Sequence, residues 1–119
     1  LEILTLFITR IGCQPLKAKN SKEAIELSET EQPDLIFMDM DLPDTDGIKT
    51  AKILKQTPLT CQIPIVAVTA WISDLWREKA ARAGIVDYLV KPVALQTLKE
   101  AIERYTKGRL TPHAAQSEI

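Results

Sequence analysis

Two short runs, Leu35-Ile36-Phe37-Met38 and Ile65-Val66-Ala67-Val68, are apolar at every position. A strand with one wet face alternates apolar and polar residues. A continuous run this short, bounded by turn residues, reads as a strand buried on both faces, as in a parallel sheet covered by helices. The β-rich segments are residues 14–18, 34–38, 63–68 and 86–90. Between them stand stretches with helical spacing and recognisable ends. Asn20 followed by Glu23 forms a capping-box pattern ahead of Ala24, Ile25 and Leu27. Residues 47–56 carry Ile48, Ala51 and Leu54. Ser73 can cap a helix with Ile72, Trp76, Ala80 and Ala83 on one stripe, stopped by Gly84. Pro92 is placed to open a last helix, with Leu95, Leu98, Ile102 and Tyr105 inward and Gly108 beyond its end. Strand alternating with helix through short links predicts a doubly wound α/β fold.

Composition removes several function classes. Fifteen basic side chains face sixteen acidic ones, a formal net charge of -1. That balance argues against a nucleic-acid binder working through bulk positive charge. No apolar run approaches a membrane span, and no secretory signal is visible at the N-terminus. Cys13 and Cys61 lie far apart and read as reduced thiols of a cytoplasmic protein. His113 is the only histidine, which leaves little room for histidine-based metal sites or Ser-His and Cys-His catalysis. The glycines stand singly, so no phosphate-cradling loop is present.

In a doubly wound sheet, ligands bind beyond the carboxyl ends of the strands. There this sequence places Asp39 after Met38, Thr69 after Val68 and Lys91 after Val90. Each has an ordinary reading alone: a cap, a turn former, or the polar residue before Pro92. Together they bring a carboxylate, a hydroxyl and an ammonium to one edge. That set suits phosphoryl transfer to or from a carboxylate, with Asp39 as nucleophile, Thr69 as donor to a phosphoryl oxygen and Lys91 as counter-charge.

At these residues the sequence resembles the receiver domain of two-component response regulators. Pro33 through Pro43, with Asp46-Gly47, is similar to the family's phosphoacceptor strand and loop. Val66-Ala67-Val68-Thr69-Ala70 is similar to its switch strand, and Asp87-Tyr88-Leu89-Val90-Lys91-Pro92 to its lysine strand with a cis-proline junction. The resemblance implies a flavodoxin-like parallel sheet and a phosphorelay role. Asp39 would take a phosphoryl group from a histidine kinase or a histidine phosphotransfer protein. Thr69 and Tyr88 would form the conformational switch, and Lys91 would pair with the carboxylate. A Mg2+ ion would be held by Asp39 and the backbone carbonyl of Asp41. Trp71 would stand beside the site, where its bulk would limit water access.

The sequence departs from the family at its start. The family's first strand, which sits mid-sheet and ends in two acids, has no counterpart, and Glu2 is the only acid among residues 1–11. The expected consequences are a gap in the sheet and a weakened or lost magnesium site. The extra carboxylates of Asp41, Asp44 and Asp46 are not expected to replace the pair. Either the parent protein supplies the strand, or strand exchange or a homodimer closes the sheet. At 100° per residue, the apolar side chains of residues 1–11 spread over roughly 220° of a helix wheel. This predicts a helix on the sheet with apolar surface to spare for a partner.

The predicted organisation is a receiver domain over residues 1–107 and a flexible tail over 108–119, acting alone or as part of a hybrid kinase. A phosphorylation-independent receiver used only for protein binding is one alternative. A phosphatase of the haloacid-dehalogenase type is another, since Asp39-x-Asp41 fits its nucleophile and acid-base pair. Against the phosphatase stand Pro43 in the motif and the lack of an acidic pair on a strand after Lys91. Part of a calcium loop is visible in 44–47, but Leu42 and Ile53 would fall on its first and last ligand positions.

Overall fold

The structure is a computed structural model that describes residues 2–18, 20–41, 46–106 and 113–117. Ten elements follow one another: α1 (Glu2–Ile11), β1 (Gln14–Ala18), α2 (Ser21–Glu31), β2 (Leu35–Asp39), α3 (Gly47–Gln56), β3 (Ile65–Thr69), α4 (Asp74–Arg82), β4 (Asp87–Val90), α5 (Leu95–Thr106) and β5 (His113–Ser117). The strands form one parallel sheet in the order β1-β5-β2-β3-β4.

The two apolar runs are inner strands, and their alternate side chains fill two separate cores. Leu35, Phe37, Val66 and Val68 pack with Ile8, Leu98 and Ile102 under α1 and α5. Ile36, Met38, Ile65 and Ala67 pack with Ala51, Leu54 and Ala80 under α3 and α4. Every residue of β2 and β3 is buried, which is why neither strand can carry a polar residue before its end. On α1, Ile8 is fully buried with Phe7 and Ile11 beside it, while Leu6 is exposed. The helix therefore packs on the sheet as expected.

The starts of α2 and α4 follow the sequence signals, and α3 has a cap that was not anticipated. Asn20, Asp46 and Ser73 accept from the backbone N–H of Glu23, Lys49 and Trp76. The α4 stop is also as expected, since Gly84 sits at φ 91°. A Cβ there would run into the Lys55 side chain, whose ammonium donates to the carbonyls of Cys61 (3.2 Å) and Ile63 (2.6 Å). Gly84→Ala is expected to lower stability by about 1–2 kcal/mol for the left-handed backbone alone, read as a lower urea midpoint.

Some boundaries move. Ile63 is not in β3, because its N–H bonds back to the Thr60 carbonyl in a turn and its carbonyl serves Lys55. Pro92 does not open α5. It follows a cis bond to Lys91, and the first helical bond runs from Leu98 N–H to Ala94 carbonyl.

The largest difference concerns residues 108–119. They read as a tail, and the sheet was expected to have a gap between β1 and β2. Residues 113–117 instead form β5 in that position, pairing Gln14 through Ala18 on one side and Leu35 through Met38 on the other. The physical reason is backbone demand. Two facing strand edges with unpaired N–H and C=O groups accept almost any extended segment without proline. The rest of the expected tail, 108–112 and 118–119, lies outside the described residues. Among the described residues no helix is long and apolar enough to cross a membrane.

Candidate functional site

The ladder sets the levels at the carboxyl edge. Asp39 pairs with Val68, and Thr69 with Val90. Two further backbone bonds carry the ladder past the strand ends, Met40 N–H to Val68 carbonyl and Lys91 N–H to Thr69 carbonyl, both 2.9 Å. Asp39, Thr69 and Lys91 are therefore brought to one spot by three adjacent strands.

The Lys91 ammonium lies 3.0 Å from Asp39 Oδ1 and 3.0 Å from Asp41 Oδ2. Asp39 is only 3% exposed, so the ammonium is the charge that makes its burial tolerable. Asp39 Oδ1 also accepts the Asp41 N–H at 2.9 Å. Thr69 and Asp39 are joined through Asp41. The Thr69 hydroxyl reaches Asp41 Oδ1 at 3.1 Å, and the Ala70 N–H reaches Asp41 Oδ2 at 2.8 Å. The same hydroxyl lies 3.0 Å from the Trp71 carbonyl and accepts the Trp71 N–H at 3.3 Å. One hydroxyl proton is thus shared between the Asp41 carboxylate and the 70–71 turn.

The remaining sequence candidates divide. Tyr88 is half-buried and packs edge-on against Trp76, ring centroids 5.9 Å apart, with the Arg77 guanidinium 5.6 Å above it. Trp71 touches Thr69 with its backbone, but its side chain belongs to a residue 78% exposed. Asp46 is spent on capping α3, and Asp44 lies outside the described residues. Two contributors were missed in the receiver reading: the Ala70 N–H, which no side-chain motif can announce, and the Asp41 carboxylate, since that reading used Asp41 only through its backbone carbonyl. The signal for Asp41 was present as a second acid on the edge where the cation emerges.

Electrostatics tie the group together. Burial pushes the Asp41 carboxyl up, but bonds from Lys91, Ala70 and Thr69 outweigh it and hold the pKa below 3.8. Burial pushes Lys91 down, and the two carboxylates more than reverse this, holding it above 10.5. A depressed acid stabilises the fold above its unfolded pKa and ceases to do so as pH falls through the folded one. A raised lysine stabilises it below its unfolded pKa and ceases to do so as pH rises through the folded one. This pair is expected to give a stability plateau that declines below pH 3.8 and above pH 10.5. Both slopes should flatten in Lys91→Met, as measured by urea unfolding across pH.

Among the described residues no group of three His, Cys, Asp or Glu converges as a metal cage. Asp39 and Asp41 fit a magnesium ion only together with phosphoryl oxygens and water, a shell that this hard cation commonly accepts.

Known proteins resemble this chain in sequence and in fold. The family model described as the response regulator receiver domain matches residues 1–103. The histidine kinase BarA of Escherichia coli K12 is 38% identical over 86 residues, 72% of this chain and 9% of BarA. The chain thus spans a small fraction of that relative. PilH of Pseudomonas aeruginosa is 32% identical over 105 residues, 88% of this chain and 87% of PilH. Among solved structures, the receiver domain of a Pseudomonas aeruginosa sensor histidine kinase superposes with a TM-score of 0.81 at 25% identity. The match covers 90% of this chain and 88% of that one, which was solved with magnesium coordinated in its active-site cleft. With most of its length matched by the family model and its parallel α/β sheet shared, the chain belongs to the receiver domains of two-component signalling.

Proposed function

We propose that this chain accepts a phosphoryl group on Asp39 and passes the event on through Thr69 and Tyr88. The observation that carries this reading is the Lys91 ammonium 3.0 Å from a carboxylate that is 3% exposed. Both hydrogen bonds described for the Asp39 carboxylate fall on Oδ1, which leaves Oδ2 as the attacking oxygen in this reading. It forms a bond to phosphorus as the P–N bond of a phosphohistidine breaks. The imidazole nitrogen keeps the electron pair and takes a proton from solvent. Lys91 offsets the transferred charge, and Thr69 turns its hydroxyl to a phosphoryl oxygen. Tyr88, packed against Trp76 beside the switch strand, then adjusts.

Magnesium, held by the Asp39 carboxylate and the Asp41 carbonyl, would neutralise phosphoryl charge. The donor is a histidine kinase or a histidine phosphotransfer protein, and the cytoplasm is the compartment this reading implies. The receiver unit is residues 1–107 with its sheet completed by β5. It is modified once per transfer, so it is a signalling module and no multiple-turnover enzyme.

The test is incubation with an acyl phosphate and magnesium, followed by peptide mass spectrometry. One phosphoryl group on the peptide that contains Asp39, absent in Asp39→Asn, is the expected result. Steady release of product from a phosphomonoester would favour a phosphatase. No incorporation, with Thr69 and Tyr88 signals unmoved, would leave a phosphorylation-independent binding module.

A further inference from the structure

The phosphoacceptor reading uses only the backbone carbonyl of Asp41. Its carboxylate nevertheless takes the donors that reading reserves for the incoming group. Oδ1 receives the Thr69 hydroxyl at 3.1 Å, while Oδ2 receives the Ala70 N–H at 2.8 Å and the Lys91 ammonium at 3.0 Å. Two anionic oxygens held by a hydroxyl, an amide and an ammonium match what a phosphoryl group needs there. The two anions cannot share this set. The hydroxyl has one proton to give, and like charges in one partly buried site repel.

We infer that the Asp41 carboxylate is a built-in occupant of the anion site, which a phosphoryl group on Asp39 must displace. This rests on the phosphoacceptor reading above. Asp41 lies beyond the end of β2 with its side chain 31% exposed, so it has a way out to solvent without disturbing the sheet. The consequence is selectivity. A tethered carboxylate acts at an effective concentration of about millimolar or more, so free phosphate or sulfate competes poorly with it. A phosphoryl group bonded to Asp39 is tethered too and competes on equal terms. Asp41 thereby distinguishes an anion attached to the acceptor from one that is merely dissolved.

The experiment uses the whole chain, free of divalent metal, titrated with inorganic phosphate while the amide signals of Thr69 and Ala70 are followed by NMR. Asp41→Ala is expected to bind phosphate at least about tenfold tighter than the unsubstituted chain, the worth of one charge-assisted hydrogen bond. Asp41→Asn keeps the shape without the charge and should fall between the two, and it decides the matter if the alanine variant does not fold. Phosphate binding equal to or weaker than the unsubstituted chain in the folded variants overturns the inference. Acyl-phosphate labelling of the unsubstituted chain separates the two readings. If Asp39 is labelled while phosphate affinity does not respond to Asp41, the Asp41 inference alone fails. If the variants bind phosphate tighter but Asp39 is never labelled, the acceptor reading fails.

Discussion

Lys91→Met is expected to cut the rate of Asp39 phosphorylation by about 100-fold or more, the usual cost of removing a preorganised donor aimed at developing charge. It should also destabilise the fold. Asp39 is 3% exposed and would be left with the Asp41 N–H as its described partner. Breaking a buried ion pair from one side costs about 3–5 kcal/mol. The part-exposed ammonium, whose side chain is 28% accessible, places the effect at the lower end of that range. The two losses can be separated with a second substitution. In an Asp39→Asn background no buried charge is orphaned, so Lys91→Met should cost clearly less there, and the difference measures the coupling. Equal urea midpoint shifts in both backgrounds would mean that the ammonium does not serve Asp39.

Phe37→Ala is expected to cost about 3–5 kcal/mol, the range for truncating a fully buried aromatic. Phe37 has no exposed surface and stands at the centre of the core under α1 and α5. A domain of this size is stable by only about 5–15 kcal/mol, so the variant should lose about a fifth of its stability or more. The position matters for function too, because Phe37 lies on the strand that presents Asp39 two residues later. Phe37→Leu, which refills most of the volume, should recover much of the urea midpoint. If the alanine variant loses phosphoryl uptake only in proportion to its unfolded fraction, the residue acts through stability alone.

What could be read from the residues was whatever local chemistry determines. β2 and β3 were legible because burial on both faces forbids polar residues along the whole strand. Asp39 and Thr69 were legible as the polar residues that close those strands, and Lys91 as the polar residue that follows β4. The caps at Asn20 and Ser73 were legible because the bond they make spans three residues. The start of β3 was misplaced because Ile63 is held out of the ladder by Lys55, and that contact depends on the fold. The Asp41 carboxylate was assigned no partner because those partners come from loops about 30 and 50 residues away, which only the register of three strands brings together. β5 was invisible for another reason. His-Ala-Ala-Gln-Ser has no β-branched or aromatic residue. The segment holds its place through backbone pairing on both sides, and backbone is the same in every sequence.

The direction of β5 also decides which rim of the sheet its last described residue reaches. It runs parallel to β1 and β2, with Ser117 level with Met38, one residue short of Asp39. Its last described residue therefore stands at the rim that carries the Asp39 carboxylate. A bulky group attached at Ser117 would therefore crowd whatever approaches that rim.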